Sequence, residues 1–385
     1  MIKLTKPYLD EAEKSNLLAS LEDGWVSSAG PLVEEFETQL GLYTGVRHAI
    51  ATNSGTSALH IALKVCGVRE NDLVIAPDLT FVAPIHAIYY NGAEPILIDV
   101  EEHFWQMDLD LLEWYLEKNT RLKEGECFHK ASGRRISAIL AVHALGNMGK
   151  MERLISLSAR YHIPVVEDAA EAIGSWYQGK HAGTFASLGC LSFNGNKLIT
   201  TGAGGAILTQ DPLLAQKVRL LINHSRVSPI PYYHEGLGYN YKMSNLHAAV
   251  GIAQLAKLET LLQLKKQLIS AYQSCWLSST DHKIESYFSL KGATPNYWWY
   301  AVRVGKKEIT QKELAGRGVE TGSLWVPMHL LPINRKVEFV TLKNCTDLLH
   351  TEAIVLPSHQ GVKRKEAEMI AQCVLQINSR QTISN

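Results

Sequence analysis

Along the first two thirds of the chain, short apolar runs alternate with amphipathic stretches. The runs are HAIATN (48–53), DLVIAP (72–77), EPILID (94–99), ISAILAVHA (136–144), IPVVED (163–168), LGCLSFN (188–194) and GGAILT (204–209). Each has strand length and is rich in Val, Ile, Leu or Ala. Between most of them lie helical patterns such as TSALHIALKVCG and KMERLISLSARYH. The alternation predicts βα units on a mainly parallel, seven-stranded sheet buried on both faces, an α/β fold. From Ser244 the character changes. SNLHAAVGIAQLAKLETLLQLKKQLISAYQSC has no internal proline and predicts one long helix. That helix would link a large domain, 1–250, to a smaller C-terminal α+β domain, 251–385, in which YWWYAVRV reads as a strand.

Length supports the division, because 385 residues exceed one ordinary core. Hydrophobic residues make up 46% and charged residues 20%, as in soluble globular proteins. Lys+Arg and Asp+Glu each total 38, so no net charge steers the chain to nucleic acid or a membrane. Cys66, Cys127, Cys190, Cys275, Cys345 and Cys373 form no CxxC pair, which argues against a zinc or iron–sulfur site; no metal is expected. No N-terminal signal pattern and no long uncharged apolar run is present, so the expected compartment is the cytoplasm.

Ligands of open α/β sheets bind beyond the carboxyl ends of the strands, and several polar groups fall there. VVEDAAEAIG ends a strand in Glu167 and Asp168. Asp168 either caps a helix or faces a cationic ring nitrogen. ATNSGTSALHIAL passes from a strand through Asn53, Ser54, Gly55, Thr56 and Ser57 into a helix, which makes either an anion site or a plain Ser/Thr cap. In SFNGNKLITTGAGG, Ser192 and Lys197 follow a strand among glycines, which allow close backbone approach. Phe81, in DLTFVAP, is a core aromatic or one that stacks on a flat ligand. Together these loops offer a phosphate cradle, a ring carboxylate, a stacking aromatic and a reactive amine, the set that pyridoxal phosphate requires.

In these motifs the chain resembles the DegT/DnrJ/EryC1/StrS family of sugar aminotransferases. The likeness runs from LTKPYLDEAEKSNLLASLEDGWVSSAGPLVEEFE through NSGTSALHIAL, APDLTFVAP, VVEDAAEAIG, SFNGNKLITTGAGG and GYNYKMSNLHAAVGIAQL to VLPSHQGV. The resemblance implies a pyridoxal-phosphate-dependent transferase of fold type I, acting as a cytoplasmic homodimer with shared active sites. Lys197 matches the Schiff-base lysine, Asp168 the carboxylate on the pyridine nitrogen, and Phe81 the stacking aromatic. Gly55, Thr56, Ser57 and Ser192 match phosphate contacts, and Asn240 an asparagine that reaches the other subunit's phosphate. Glu171 falls near the ring hydroxyl. The sequence departs from the family at Ala203, often glutamate, and at Lys242, often arginine.

The implied reaction moves an amino group from L-glutamate to the 4-keto position of a nucleotide-linked 4-keto-6-deoxy sugar, for surface glycan synthesis. A UDP-linked N-acetylhexosamine is the expected acceptor, with Trp25, Ser28, Gly30 and His329 bordering the sugar. The alternatives are GDP-4-keto-6-deoxymannose, as for a perosamine synthase, or a sugar dehydratase on the same fold. Dehydratase relatives replace the lysine with histidine, and position 197 is Lys.

Overall fold

The computed structural model describes residues 1–227, 230–277 and 284–382. All seven expected runs form strands of one sheet: β1 His48–Thr52, β2 Leu73–Pro77, β3 Glu94–Ile98, β4 Arg135–Val142, β5 Val165–Asp168, β6 Leu188–Ser192 and β7 Gly205–Thr209. Their spatial order is β1-β7-β6-β5-β4-β2-β3. The pairs β6–β5, β5–β4, β4–β2 and β2–β3 are parallel, whereas β7 runs antiparallel to both β6 and β1. Among the described residues the sheet has ten strands, not seven. Glu338–Val340 adds a parallel strand beside β3, and the hairpin Thr120–Lys123/Glu126–His129 pairs with β4. These three escape a search for apolar runs because they are short and carry charged residues.

Successive residues of one strand serve opposite cores. Ile75, Ile139, Val165 and Leu208 join one apolar cluster; their neighbours Val74, Leu140, Val166 and Ile207 join the other. Burial on both faces explains why the strands read as continuous apolar runs. A separate four-stranded sheet, containing Tyr300–Arg303 and Ala353–Leu356, packs around Tyr272, Ile370 and Val374.

The segment after Ser244 is two helices, Asn245–Ala256 and Leu258–Leu277, not one. The break lies at Lys257, whose ammonium is 2.7 Å from both Asp10 and Glu13. Each helix serves a different neighbour: Asn245–Ala256 packs on Glu11–Glu22 and Leu32–Thr44, and Leu258–Leu277 on Arg364–Thr382. No proline or glycine marks the break, which coincides with this tertiary ion pair.

The reversal of β7 positions the site. β6 ends and β7 begins at the same sheet end, with Ser192 paired to Gly205. Residues 193–204 therefore fold over the carboxyl ends of β1, β2 and β5. The loop is held by Phe193 N–H to Gly204 O, Thr201 N–H to Phe193 O (both 2.9 Å) and Thr200 N–H to the buried Gln254 side chain (3.1 Å).

Below that end, the fully buried Glu167 accepts hydrogen bonds from the N–H groups of Gly183 (2.8 Å), Phe185 and Ala186 (both 2.6 Å), and its carboxylate lies 2.9 Å from His143 Nε2. Glu167→Ala would strand three amides and an imidazole. The expected loss is about 3–5 kcal/mol of unfolding free energy by urea titration, with Glu167→Gln losing less.

Candidate active site

A cavity of about 340 Å³ opens at the carboxyl ends of the strands. Gly55, Thr56, Phe81, Asp168, Glu171, Ser192 and Lys197 all line it, so most of the residues singled out by sequence meet in one place.

One wall is the start of the helix Gly55–Val65. Ser54 caps it, its Oγ accepting the Ser57 N–H at 3.0 Å. The capping reading therefore holds for Ser54, and it leaves the first-turn N–H groups of Gly55 and Thr56 without an intrahelical acceptor. Ser57 turns away, its hydroxyl donating to Asn53 Oδ1 at 2.7 Å. A Cβ on Gly55 would stand 2.7 Å from Ser192 Cβ, and one on Gly205 would stand 2.6 Å from the Gly55 nitrogen. Only glycine lets the strand, the helix start and the Ser192 hydroxyl converge so closely.

The opposite wall carries the charge. Asp168 caps no helix; its Oδ1 accepts the Ala170 N–H at 3.0 Å within a turn. Burial pushes its carboxyl above the usual range, against the Ala170 N–H and the charges of Lys197 and His143. Glu171 accepts the Leu145 N–H at 2.8 Å and lies 3.4 Å from Lys197 Nζ. Burial pushes it up to about 7, although Lys197 pulls the other way. Lys197 Nζ also sits 4.0 Å from the centre of the Trp298 ring.

No sequence pattern singles out Trp298, Trp299 and Trp325, which also line the cavity, as do Asn194 and Asn196. Two of them lie in the strand-like YWWYAVRV, where an apolar run gave no hint of a cavity. Conversely, four residues expected at the sugar do not line this cavity. Trp25 is exposed, its carbonyl accepting the Asn245 side-chain amide at 3.1 Å. Ser28 is half-buried, and Gly30 packs on the Asn245 side chain. His329 Nδ1 lies 2.8 Å from the buried Asp78, and its ring stacks on Phe339 at 4.0 Å. Asn240 is exposed and outside the cavity, its carbonyl accepting from the Asn53 side chain at 3.2 Å. Phe81 stands at the mouth, 52% exposed.

Comparison with known proteins gives the arrangement a context. The model of the DegT/DnrJ/EryC1/StrS aminotransferase family matches residues 7–375. The GDP-perosamine synthase of Caulobacter vibrioides is 32% identical over 381 residues, covering 98% of each chain. The UDP-4-amino-4,6-dideoxy-N-acetyl-beta-L-altrosamine transaminase of Campylobacter jejuni is 31% identical over 385 residues, 98% of this chain and 97% of its own. The solved PLP form of Streptococcus pneumoniae Spr1654 is 25% identical, with a TM-score of 0.87 over 98% of this chain and 99% of that one. The cavity's donor set suits pyridoxal phosphate: open amides and a hydroxyl for an anion, a carboxyl raised by burial, and a primary amine, all in one lining.

The Glu171 shift has a consequence for the cofactor-free protein. A carboxyl raised on folding adds stability that is present below its ordinary value of 4.5 and is lost as pH rises through about 7. Wild type should therefore lose more stability than Glu171→Gln between about pH 5 and about pH 8, read as denaturation midpoints at each pH. Equal losses would mean that Glu171 stays ionised throughout.

Proposed function

We propose that this chain, which belongs to the DegT/DnrJ/EryC1/StrS aminotransferase family, transfers an amino group from L-glutamate to the 4-keto carbon of a nucleotide-linked 4-keto-6-deoxy sugar. The observation that carries the reading is the meeting of Lys197, Glu171 and Asp168 opposite an open helix start in one buried cavity.

Pyridoxal phosphate, when bound, supplies a carbonyl that carries the amino group and a ring that takes up carbanion charge. The chain supplies binding, orientation and proton transfer. The Gly55 and Thr56 amides and the Ser192 hydroxyl would hold the phosphate at the helix start. Asp168 would keep a proton on the ring nitrogen, and pairing with that cation would offset the cost of burying its carboxylate. Phe81, at the mouth, would cover one face of the ring. The Lys197 amine, when free, would take a proton at the substrate carbon and return it, first with donor and then with acceptor. Glu171 accepts from Lys197 and returns its proton, a role suited to a carboxyl whose pKa lies near neutrality.

The active unit we infer is a homodimer, with Asn240 completing the phosphate site of the neighbouring subunit. Its exposure outside its own cavity leaves it free to do so. The compartment is the cytoplasm, where nucleotide sugars are made; no helix among the described residues is long and apolar enough to cross a membrane. For the acceptor we favour a UDP-linked N-acetylhexosamine, as acted on by the Campylobacter relative. The Caulobacter relative, similar to the same degree, supports GDP-4-keto-6-deoxymannose as a second reading.

Borohydride reduction of the cofactor-loaded chain followed by peptide mapping should place the added mass on Lys197. Mass on another lysine would overturn the assignment. Asp168→Asn should lower turnover by about 100-fold or more with the fold intact. Mass-spectrometric assay of UDP-, GDP- and dTDP-linked 4-keto sugars, with L-glutamate as donor, should give an amino product from the UDP-linked N-acetylated substrate. A product from the GDP-linked sugar alone would select the second reading.

A further inference from the structure

Trp298 is held more tightly than a lining residue needs to be. It is 4% exposed. Its N–H donates to Asn296 Oδ1 at 2.7 Å, and Asn296 in turn donates to the carbonyls of Glu171 and Ile173, both at 2.8 Å. Its carbonyl accepts from the Lys265 ammonium at 2.9 Å, and that same fully buried amine donates to the Ser358 carbonyl and hydroxyl. Its indole N–H donates at 2.8 Å to the carbonyl of Asn196, the residue before Lys197. On one side the ring stacks with Trp299, centroids 4.3 Å apart and planes 10° from parallel. The ring also meets Lys197 Nζ, 4.0 Å from its centre.

A lysine that leaves a covalent bond and returns to it needs a resting place inside a buried site. A carboxylate alone would bind the ammonium but would also compete for its proton. An aromatic face attracts the ammonium and has no basic site to take that proton. We propose that Trp298 is a positioning residue for Lys197: its ring face holds the freed amine beside the reacting centre, while its indole N–H fixes the loop that carries the lysine. The inference rests on the reading of Lys197 given above.

The test isolates the charge on the ring face from its shape. Protein loaded with pyridoxamine phosphate, which leaves the lysine amine free, is prepared with ordinary tryptophan and with mono- to trifluorinated tryptophan. Each sample is treated briefly with an amine-acylating reagent, and the modification of Lys197 is read by peptide mass spectrometry. Fluorination weakens the ring's attraction for a cation and leaves its packing nearly unchanged. The expected result is a stepwise rise in Lys197 labelling, about 3-fold from none to three fluorines. The same series in Trp298→Phe, which keeps an aromatic side chain but takes up no fluorine at this position, should stay flat. A flat series in the wild-type chain would overturn the proposal, as would an equal rise in Trp298→Phe. Borohydride mapping separates the failures: mass on a different lysine sinks the reading of Lys197, whereas mass on Lys197 with flat labelling sinks only the role of Trp298.

Discussion

A single reversed strand decides where the reactive amine can stand. In a sheet whose other pairings around the site are parallel, Gly205–Thr209 runs the opposite way, and the chain must turn back directly above the carboxyl ends of its neighbours. A parallel connection would have carried residues 193–204 across a face of the sheet to its far end. Because it does not, the loop lies against the helix start at Gly55, the turn at Asp168 and the aromatic at Phe81. The other features of the site inherit this geometry.

Electrostatics follow from the enclosure. Two carboxyl groups are buried beside one amine, and burial pushes both acids towards their neutral forms. Among the described residues Asp168 has one backbone donor and no ion pair, and the charges of Lys197 and His143 do not outweigh its burial. A bound ring cation would supply what burial has removed. Glu171 differs because Lys197 stands beside it, and the two can share a proton. The same low-dielectric setting makes the Trp298 ring a stronger partner for the amine than it would be in water.

The sheet was legible in the sequence because strands buried on both faces spell themselves out as apolar runs. What escaped were elements whose cause is tertiary. Glu338–Val340 joins the sheet with only three residues, and the break falls at Lys257, which pairs with Asp10 and Glu13 nearly 250 positions away. At the site, Lys197, Asp168, Ser192 and Gly55 could be picked out because polar and glycine residues at strand ends are conspicuous. Trp298, Trp299 and Trp325 could not, since an aromatic in an apolar run looks like core until its ring is placed. Trp25, Ser28, Gly30 and His329 lie in loops outside this cavity: the Trp25 carbonyl and Gly30 pack on Asn245, and His329 meets Asp78.

The crowding at Gly55 and Gly205 bears on attempts to refit the pocket for altered cofactors. Enlarging a binding site usually means trimming a side chain, and at these two positions there is nothing left to trim. Room for a bulkier anionic group cannot come from these two glycines, and a backbone shift there would come at the expense of the hydrogen-bonded register between Ser192 and Gly205. Redesign is better directed to the aromatic side of the cavity, where removable atoms exist.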